Sequence, residues 1–333
     1  MKKLFLSIVA AMIAATATFA QSSMLATLSH DGEISTFYGA TALRDAHNAA
    51  AHGDIITLSS GSFVSVDITK AITLRGAGSE INTKLQIEPT VITGDFTINI
   101  ADDITERLTI EGIYHNHILY YKGNLKNATF IKDRFKKIYY SNNGTLKNAT
   151  FIHCRVAEEL FLFNNSTASC VNCMVWKPCS NDSYNSNYEF QNCVIKGGYL
   201  DAISSSSFKN CVLIGSNATY DNIRSSCVAY NCIGIGNNNI FKNMPNQSNA
   251  IKSYTDVFKT LTGSSYNDSE LFELTDDAKT TLLGIDGTQV GVYGGNMPFD
   301  STPTNPQITK CNVAAKSTAD GKLSVDITVN GAE

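Results

Sequence analysis

Between residues 125 and 234 the chain repeats itself, and no other feature limits its fold so strongly. The segment Leu125-Lys126-Asn127-Ala128-Thr129-Phe130-Ile131 returns as Leu146-Lys147-Asn148-Ala149-Thr150-Phe151-Ile152. Weaker copies are Cys170-Val171-Asn172-Cys173-Met174-Val175, Phe190-Gln191-Asn192-Cys193-Val194-Ile195, Phe208-Lys209-Asn210-Cys211-Val212-Leu213 and Ala229-Tyr230-Asn231-Cys232-Ile233-Gly234. Successive Asn positions are 21, 24, 20, 18 and 21 residues apart. One residue after each Asn stands Ala128, Ala149, Cys173, Cys193, Cys211 or Cys232, and three after stands Phe130, Phe151, Val175, Ile195, Leu213 or Gly234. These positions share one strand face. The position two before the Asn has the opposite parity yet is also mostly apolar, which a straight strand cannot satisfy. A bend at the Asn can, because Asn tolerates the left-handed backbone of a one-residue corner.

Each repeat therefore predicts two short strands meeting at an Asn corner around one interior. Asn127, Asn148, Asn172, Asn192, Asn210 and Asn231 are expected to stack, with their amides hydrogen-bonded along the ladder. Ala128, Ala149, Cys173, Cys193, Cys211 and Cys232 are expected to line one internal row. A unit near 20 residues is too short for a strand–helix crossover or a propeller blade, and the leucine-rich signature is missing. The fold class expected is all-β, a single-stranded parallel β-helix solenoid of roughly 12 coils, near 60 Å long at about 4.8 Å per coil. Lys137 to Ser141 and Leu160 to Phe163 supply a third strand per coil, with Tyr139 and Tyr140 aligned to Leu160 and Phe161.

The ends read differently. Ala42, Leu43, Ala46, Ala49 and Ala50 form one face of a short helix, with Thr41 as N-cap and Gly53 near its end. Such a helix covers the open interior of a solenoid. Asp54 to Leu58 is the first strand, and Ile285 to Gly295 reads as a last strand with Gly turns. The helix, "HGDIITLSSGSF", the Asn/Cys coils and "DGTQVGVYGG" together resemble the pectin-lyase-like right-handed parallel β-helix superfamily, and more narrowly its secreted members from gut Bacteroidales. The resemblance covers about residues 27–297 and implies a right-handed β-helix over residues 21–297. It implies no single reaction, because this fold hosts many activities. In residues 298–333, Pro298, Pro303 and Pro306 make a linker, and Ile308 to Ala314 and Lys322 to Val329 make a C-terminal hairpin tail around Ala319-Asp320-Gly321.

Met1-Lys2-Lys3, the apolar run Leu4 to Ala17 and Thr18-Phe19-Ala20 read as a signal peptide over residues 1–20. The expected location is secreted, periplasmic or at the cell surface. Removing Lys2 and Lys3 takes the formal charge from −4 to −6, and no basic block stands out, so nucleic acid is an unsuitable partner. No later stretch is long and apolar enough for a membrane span.

Nine Cys in an exported chain invite disulfides. Stacked neighbours about 4.8 Å apart do not match the Cβ separation of about 3.8 Å that a disulfide prefers, so the ladder Cys are read as small buried hydrophobes. Cys170 and Cys179 remain candidates for one bridge. His115 and His117 share a strand face, where they would hold a metal or stand as two polar residues near a corner. Lys132-Asp133-Arg134 is expected beside His153-Cys154-Arg155, with Lys136, Lys137, Glu158 and Glu159 close by. Within that patch Lys132, Asp133, Arg134, His153, Arg155 and Glu158 are the catalytic candidates. Surface ion pairs between coils explain the patch equally well. Enzymes of the resembled superfamily hold calcium with several carboxylates and use a Lys or Arg base, or use paired carboxylates. Asp102-Asp103 lacks such surroundings and Asp276-Asp277 starts a short helix, so no catalytic signature is intact.

Tyr120, Tyr139 and Tyr140, with Tyr121 and Phe161, form an aromatic strip that either stacks inside or presents a sugar-binding face, one member of each Tyr pair pointing out. The triplets at Asn127, Asn148, Asn217 and Asn267 carry little weight for an exported bacterial chain. The reading that follows is a rigid face for a polysaccharide or a surface protein, without a cofactor, with loops 176–187 and 237–250 as contacts. The alternatives are a lyase or glycoside hydrolase acting on an acidic polysaccharide, with calcium if a lyase, and a purely structural module. A bare, polar, Asn/Ser-rich face favours binding or structure; converging carboxylates with a Lys, Arg or His in one open groove favour catalysis.

Overall fold

The computed structural model describes residues 24–330 except 83–86, 164, 181–185, 198–199, 216–221, 245–246, 261–266, 268, 303–306, 314–315, 317, 319 and 323. The expected signal peptide, Asn217 and parts of loops 176–187 and 237–250 lie outside the described residues. The chain is 44% strand and 8% helix, and its parallel strands stack as a β-solenoid of about 9 turns. One sheet has 11 strands and the other 12. The first runs from Ile55–Leu58 through Thr73–Arg75, Thr109–Glu111, Thr129–Ile131, Ala149–Ile152, Thr167–Val171, Asn187–Gln191 and Ser207–Lys209 to Val228–Tyr230. The second includes Tyr114–Tyr121, Arg134–Tyr140, Arg155–Leu162, Met174–Trp176, Val194–Lys196, Val212–Ile214 and Ile233–Ile235. Both sheets feed one interior: Ile56, Leu74, Ile110, Phe130 and Phe151 from the first meet Phe135, Val156, Ile195 and Leu213 from the second. Phe130 stacks on Phe151 at 4.8 Å between ring centroids, and Phe190 on Phe208 at 5.3 Å.

The corners are left-handed where the repeat demands it, with φ of 54°, 53°, 50°, 51°, 55° and 50° at Asn127, Asn148, Asn172, Asn192, Asn210 and Asn231. They do not form one column. Ile152 pairs with Val171 in the first sheet, so His153, and below it Lys132, precede Asn172 in the stack. Both residues take the corner conformation, with φ of 53° and 54°. Asn127 and Asn148 turn a different corner, five residues earlier in their coils. The internal row divides accordingly. Ala149 pairs with Ala168, whereas Cys173, Cys193, Cys211 and Cys232 follow Asp133 and Cys154.

This second row is held by a repeated contact. The corner turns each following N–H toward the next coil's side chain. Ile113 N donates to Asp133 Oδ1 at 2.8 Å, Cys154 N to Cys173 Sγ at 3.4 Å, Cys173 N to Cys193 Sγ at 3.4 Å and Cys193 N to Cys211 Sγ at 3.5 Å. Cys232 N ends the series on Asn249 Oδ1 at 2.9 Å. Each thiol also donates backward: Cys173 Sγ to Phe151 O at 3.4 Å, and Cys193 Sγ to Cys170 O at 3.2 Å. The stacked Cys are free thiols, as are Cys170 and Cys179, so those two form no bridge. Burial pushes the Cys154, Cys193 and Cys232 thiols well above the ordinary range.

The ends depart from expectation in four places. A hairpin of Leu25–His30 and Glu33–Tyr38 extends the first sheet antiparallel before Ile55–Leu58, so Ile55–Leu58 is not the first strand. The helix is Ala42–Ala49; it buries His47, while Ala49 faces out, and the Thr41 hydroxyl bonds Asp45 instead of a backbone N–H. The described residues between 254 and 299 do not continue the coils, and the solenoid has about 9 turns in place of the expected 12. They fold back over the second sheet, where Val257, Phe258, Phe272, Leu274, Val290 and Val292 cover the outward Met174, Val194, Val212, Ile214, Ile233 and Ile235. Ile285 to Gly295 is a turn-rich strap along the corner, not a strand. Asn172 Nδ2 donates to Val292 O and Gly294 O, both at 2.8 Å, and Ile285 N donates to Asn210 Oδ1 at 3.0 Å. The Asn172 and Asn210 amides thus bind the strap. Gly295 is required there, since a Cβ would sit 2.1 Å from Asn192 Nδ2. The tail is an antiparallel pair, Gln307–Val313 with Val325–Asn330.

Two outcomes follow from the thiol row. Cys193→Ala leaves the Cys173 N–H without an acceptor and should lower the unfolding free energy by about 1–3 kcal/mol, with Cys193→Ser recovering part of the loss in denaturant melts. Asp133 is 1% exposed, and burial, together with nearby Glu111, pushes its carboxyl well above the ordinary range. A raised folded pKa gives stability that is complete below the unfolded value and is lost as pH rises toward the folded one. Asp133→Asn keeps an acceptor without that ionisation, so its melting temperature should exceed the parent's by more at pH 8 than at pH 4.

Candidate functional site

The expected charged patch is dispersed by the corner. The bend at Lys132 turns Asp133 into the core, while Lys132 itself meets the segment after the strap, Nζ donating to Asp300 Oδ2 at 3.0 Å and Thr302 O at 2.7 Å. His153 Nε2 lies 3.0 Å from Met297 O. Arg134 sits over the Tyr114 ring, 4.4 Å from its centroid. Glu158 is exposed and pairs with Lys136 at 3.7 Å, and Glu159 pairs with Lys137 at 2.6 Å. Arg155 is buried, with Nε 3.2 Å from Glu80 Oε1 and Nη1 donating to Glu270 O at 3.2 Å. Sequence reasoning missed its neighbour: Lys196 Nζ is 2.5 Å from Glu270 Oε1, each side chain 3% exposed. Burial, resisted by Glu270, draws the Lys196 ammonium below the ordinary lysine range. Glu270 is paired with Lys196 out of reach of solvent, and the partly exposed Glu80 is paired with Arg155, so these carboxylates meet their Lys and Arg as ion pairs.

His115 and His117 do not share a face, because a register shift falls within this part of the strand pairing. His115 is 2% exposed and stacks on Phe135 at 4.7 Å, while His117 is exposed. Burial lowers the His115 pKa to about 3. Among the described residues no group of three or more His, Cys, Asp or Glu could hold a metal ion. No described helix is long and apolar enough to cross a membrane.

The same shift moves the Tyr alignment by one residue: Ile138 pairs with Leu160, and Tyr139 and Tyr140 pair with Tyr120 and Tyr121. Tyr121 is fully buried and Tyr120 half-buried. Tyr139 and Tyr140 are both half-buried and stack on each other at 4.8 Å. Lys137 Nζ lies over the Tyr139 ring at 4.4 Å, and Phe163 stacks on Tyr140 at 4.1 Å. Both faces of the Tyr139 and Tyr140 rings are therefore largely occupied from within the molecule, leaving edges and hydroxyls to solvent.

The open face lies on the first sheet. Thr73, Thr109, Thr129, Thr150, Ser169, Glu189 and Ser207 pair rung to rung in one outward column. Ile131, Ile152 and Val171 form a half-buried aliphatic column two residues further along the strands. Asn148, Thr167 and Asn187 border the hydroxyls on the other side, the Thr167 hydroxyl donating to Asn148 Oδ1 at 3.2 Å. Over three rungs Asn148, Thr150, Thr167, Ser169, Asn187 and Glu189 line a shallow groove. Short outward side chains make it: Ala149 and Ala168 point inward, and Thr150 and Ser169 occupy the outward column on the first two rungs, with Glu189 on the third. The trace in the sequence was the Thr of both duplicated segments, Thr129 and Thr150, whose parity opposes that of Phe130 and Phe151.

No protein-family model, no curated protein and no solved structure matches the chain. The class that the structure defines is a parallel β-solenoid whose second sheet is covered over its later strands by the folded-back segment.

The buried pair gives a direct test. Glu270→Gln leaves the Lys196 ammonium buried without its counter-ion and should cost about 3–5 kcal/mol, whereas Lys196→Met with Glu270→Leu should be near neutral. Chemical denaturation of the three chains separates these outcomes; equal losses in both variants would contradict a closed structural pair.

Proposed function

We propose that this protein is an exported β-helix whose first sheet is a rigid platform for a polysaccharide chain. The export step rests on the Met1–Ala20 pattern, and the handedness and superfamily likeness rest on the sequence motifs. The observation that supports the platform is the groove over Asn148, Thr150, Thr167, Ser169, Asn187 and Glu189, beside the aliphatic Ile131, Ile152 and Val171. Hydroxyl and amide groups can exchange hydrogen bonds with sugar hydroxyls, and half-buried aliphatic carbons can receive the C–H face of a pyranose. The spacing between rungs, about 4.8 Å, is fixed by backbone pairing, so the groups are pre-organised and lose little entropy on binding.

Binding is favoured over turnover by the distribution of charge. Catalysis at a sugar carboxylate or glycosidic bond needs several ionisable groups converging on an open site, and the groove has one carboxylate, Glu189. The test is a glycan array followed by calorimetry on the mature chain from Gln21 to Glu333, with and without calcium. Binding without product release, independent of calcium, is the expected result. Thr150→Tyr, which fills the groove from an outward position, should weaken binding at least tenfold while leaving the melting temperature within a few degrees. Unsaturated or reducing-end products from an acidic polysaccharide would overturn the reading.

A further inference from the structure

From Thr73 to Ser207 the open column holds six hydroxyl side chains and a single charge, Glu189, which stands between Ser169 and Ser207; Ile55 and Val228 continue the column at its two ends. It is exposed, and among the described residues its carboxylate has no ion pair or hydrogen bond. The Lys–Glu pairs of the second sheet, Lys136 with Glu158 and Lys137 with Glu159, show how this chain neutralises carboxylates between rungs elsewhere. Among the described residues Glu189 is left uncompensated inside the groove.

We infer that Glu189 is a specificity-determining residue that restricts this groove to uncharged glycans and rejects uronate-bearing or sulfated chains. The inference rests on the glycan reading above. A polymer lying along the rungs places one repeat near each level of the groove, so a chain with a negative charge on each repeat sets at least one of them against Glu189. At such a contact Coulomb repulsion is only partly screened at physiological salt, where the Debye length is about 8 Å. A neutral chain meets no such opposition, and its hydroxyls can donate to the carboxylate. Discrimination by a repulsive group costs the preferred ligand little and the wrong ligand much. The three-rung groove also sets a length: affinity for neutral oligosaccharides should rise up to roughly three residues and then level, one residue per rung.

The experiment compares the mature chain, Glu189→Gln and Glu158→Gln by calorimetry against a neutral oligosaccharide series drawn from the array hits and an oligouronate series of matching lengths. The readout is the ratio of neutral to acidic affinity at low salt and at about 0.5 M salt. The parent chain should prefer neutral ligands, with the ratio shrinking at high salt. Glu189→Gln should lower the ratio at least tenfold at low salt, and Glu158→Gln, on the other sheet, should leave it in place. A parent chain that binds oligouronates as well as neutral chains, or a ratio unmoved by Glu189→Gln, overturns the role of Glu189 while the platform stands. A parent chain that binds neither series overturns the platform itself and this inference with it.

Discussion

The fold depends on what happens to one backbone N–H per coil. A left-handed corner residue swings the chain out of the first sheet, and the N–H just past it has no rung partner in the regular ladder. Leaving such a donor unpaired in a dry interior costs about 1–3 kcal/mol, and the cost would recur at every coil. The chain meets it with a side-chain acceptor on the next coil: Asp133 for Ile113, Cys173 for Cys154, Cys193 for Cys173 and Asn249 for Cys232. A thiol suits the middle of the row because it is small, accepts weakly, and donates its own hydrogen to a carbonyl of the preceding coil. The two ends are the polar exceptions, Asp133 and Asn249, and both accept through oxygen. The Cys column is therefore hydrogen-bonding hardware as well as apolar filling.

That row decides which sheet stays bare. The corner fixes Asn172 and Asn210 with their amides toward the outside, and the strap from Gly284 onward uses them as anchors. Once anchored, the returning segment lays Phe258, Phe272, Leu274 and Val290 on the outward face of the second sheet. That face is apolar along Val194, Val212 and Ile233, so covering it buries area that water would otherwise meet. The first sheet carries mainly Thr and Ser in one outward column, beside the half-buried Ile131, Ile152 and Val171. The later part of the second sheet, from Met174 to Ile235, is covered because of side-chain chemistry at alternate strand positions, not because of backbone geometry.

The corner was legible because only a few residue types take a left-handed backbone and Asn recurs. The register was not, because the corner column runs Lys132, His153, Asn172, Asn192, Asn210, Asn231 and two of its members are not Asn. Their spacings are 21, 19, 20, 18 and 21, smoother than the 24-residue gap between Asn148 and Asn172. That long gap was the sign that two corners had been merged. Alignment on the inward residues Phe130, Phe151, Cys170, Phe190 and Phe208 finds the true stack, since burial constrains the inside of a coil more tightly than its turns. The charged candidates failed for the same reason. A one-residue corner reverses parity, so Asp133 enters the core between two cations that remain outside. The His115/His117 pair failed because a strand irregularity reverses parity again.

The distribution of ionisable groups argues for recognition over turnover. An active site keeps at least one acid or base accessible and tuned, commonly by partial burial. Here the strongly tuned groups, Asp133, His115 and the Cys row, are shut in the core, and Lys196 and Glu270 are shut beneath the folded-back segment. The accessible ionisable groups of the second sheet, such as Lys136 with Glu158, are neutralised in pairs. What the open sheet offers is different: neutral donors and acceptors at fixed spacing on a surface held from both ends by backbone pairing. Such a surface can discriminate among polymers by repeat length and charge. In the reading proposed above, Glu189, the one carboxylate of the groove, acts on such a surface as a charge filter.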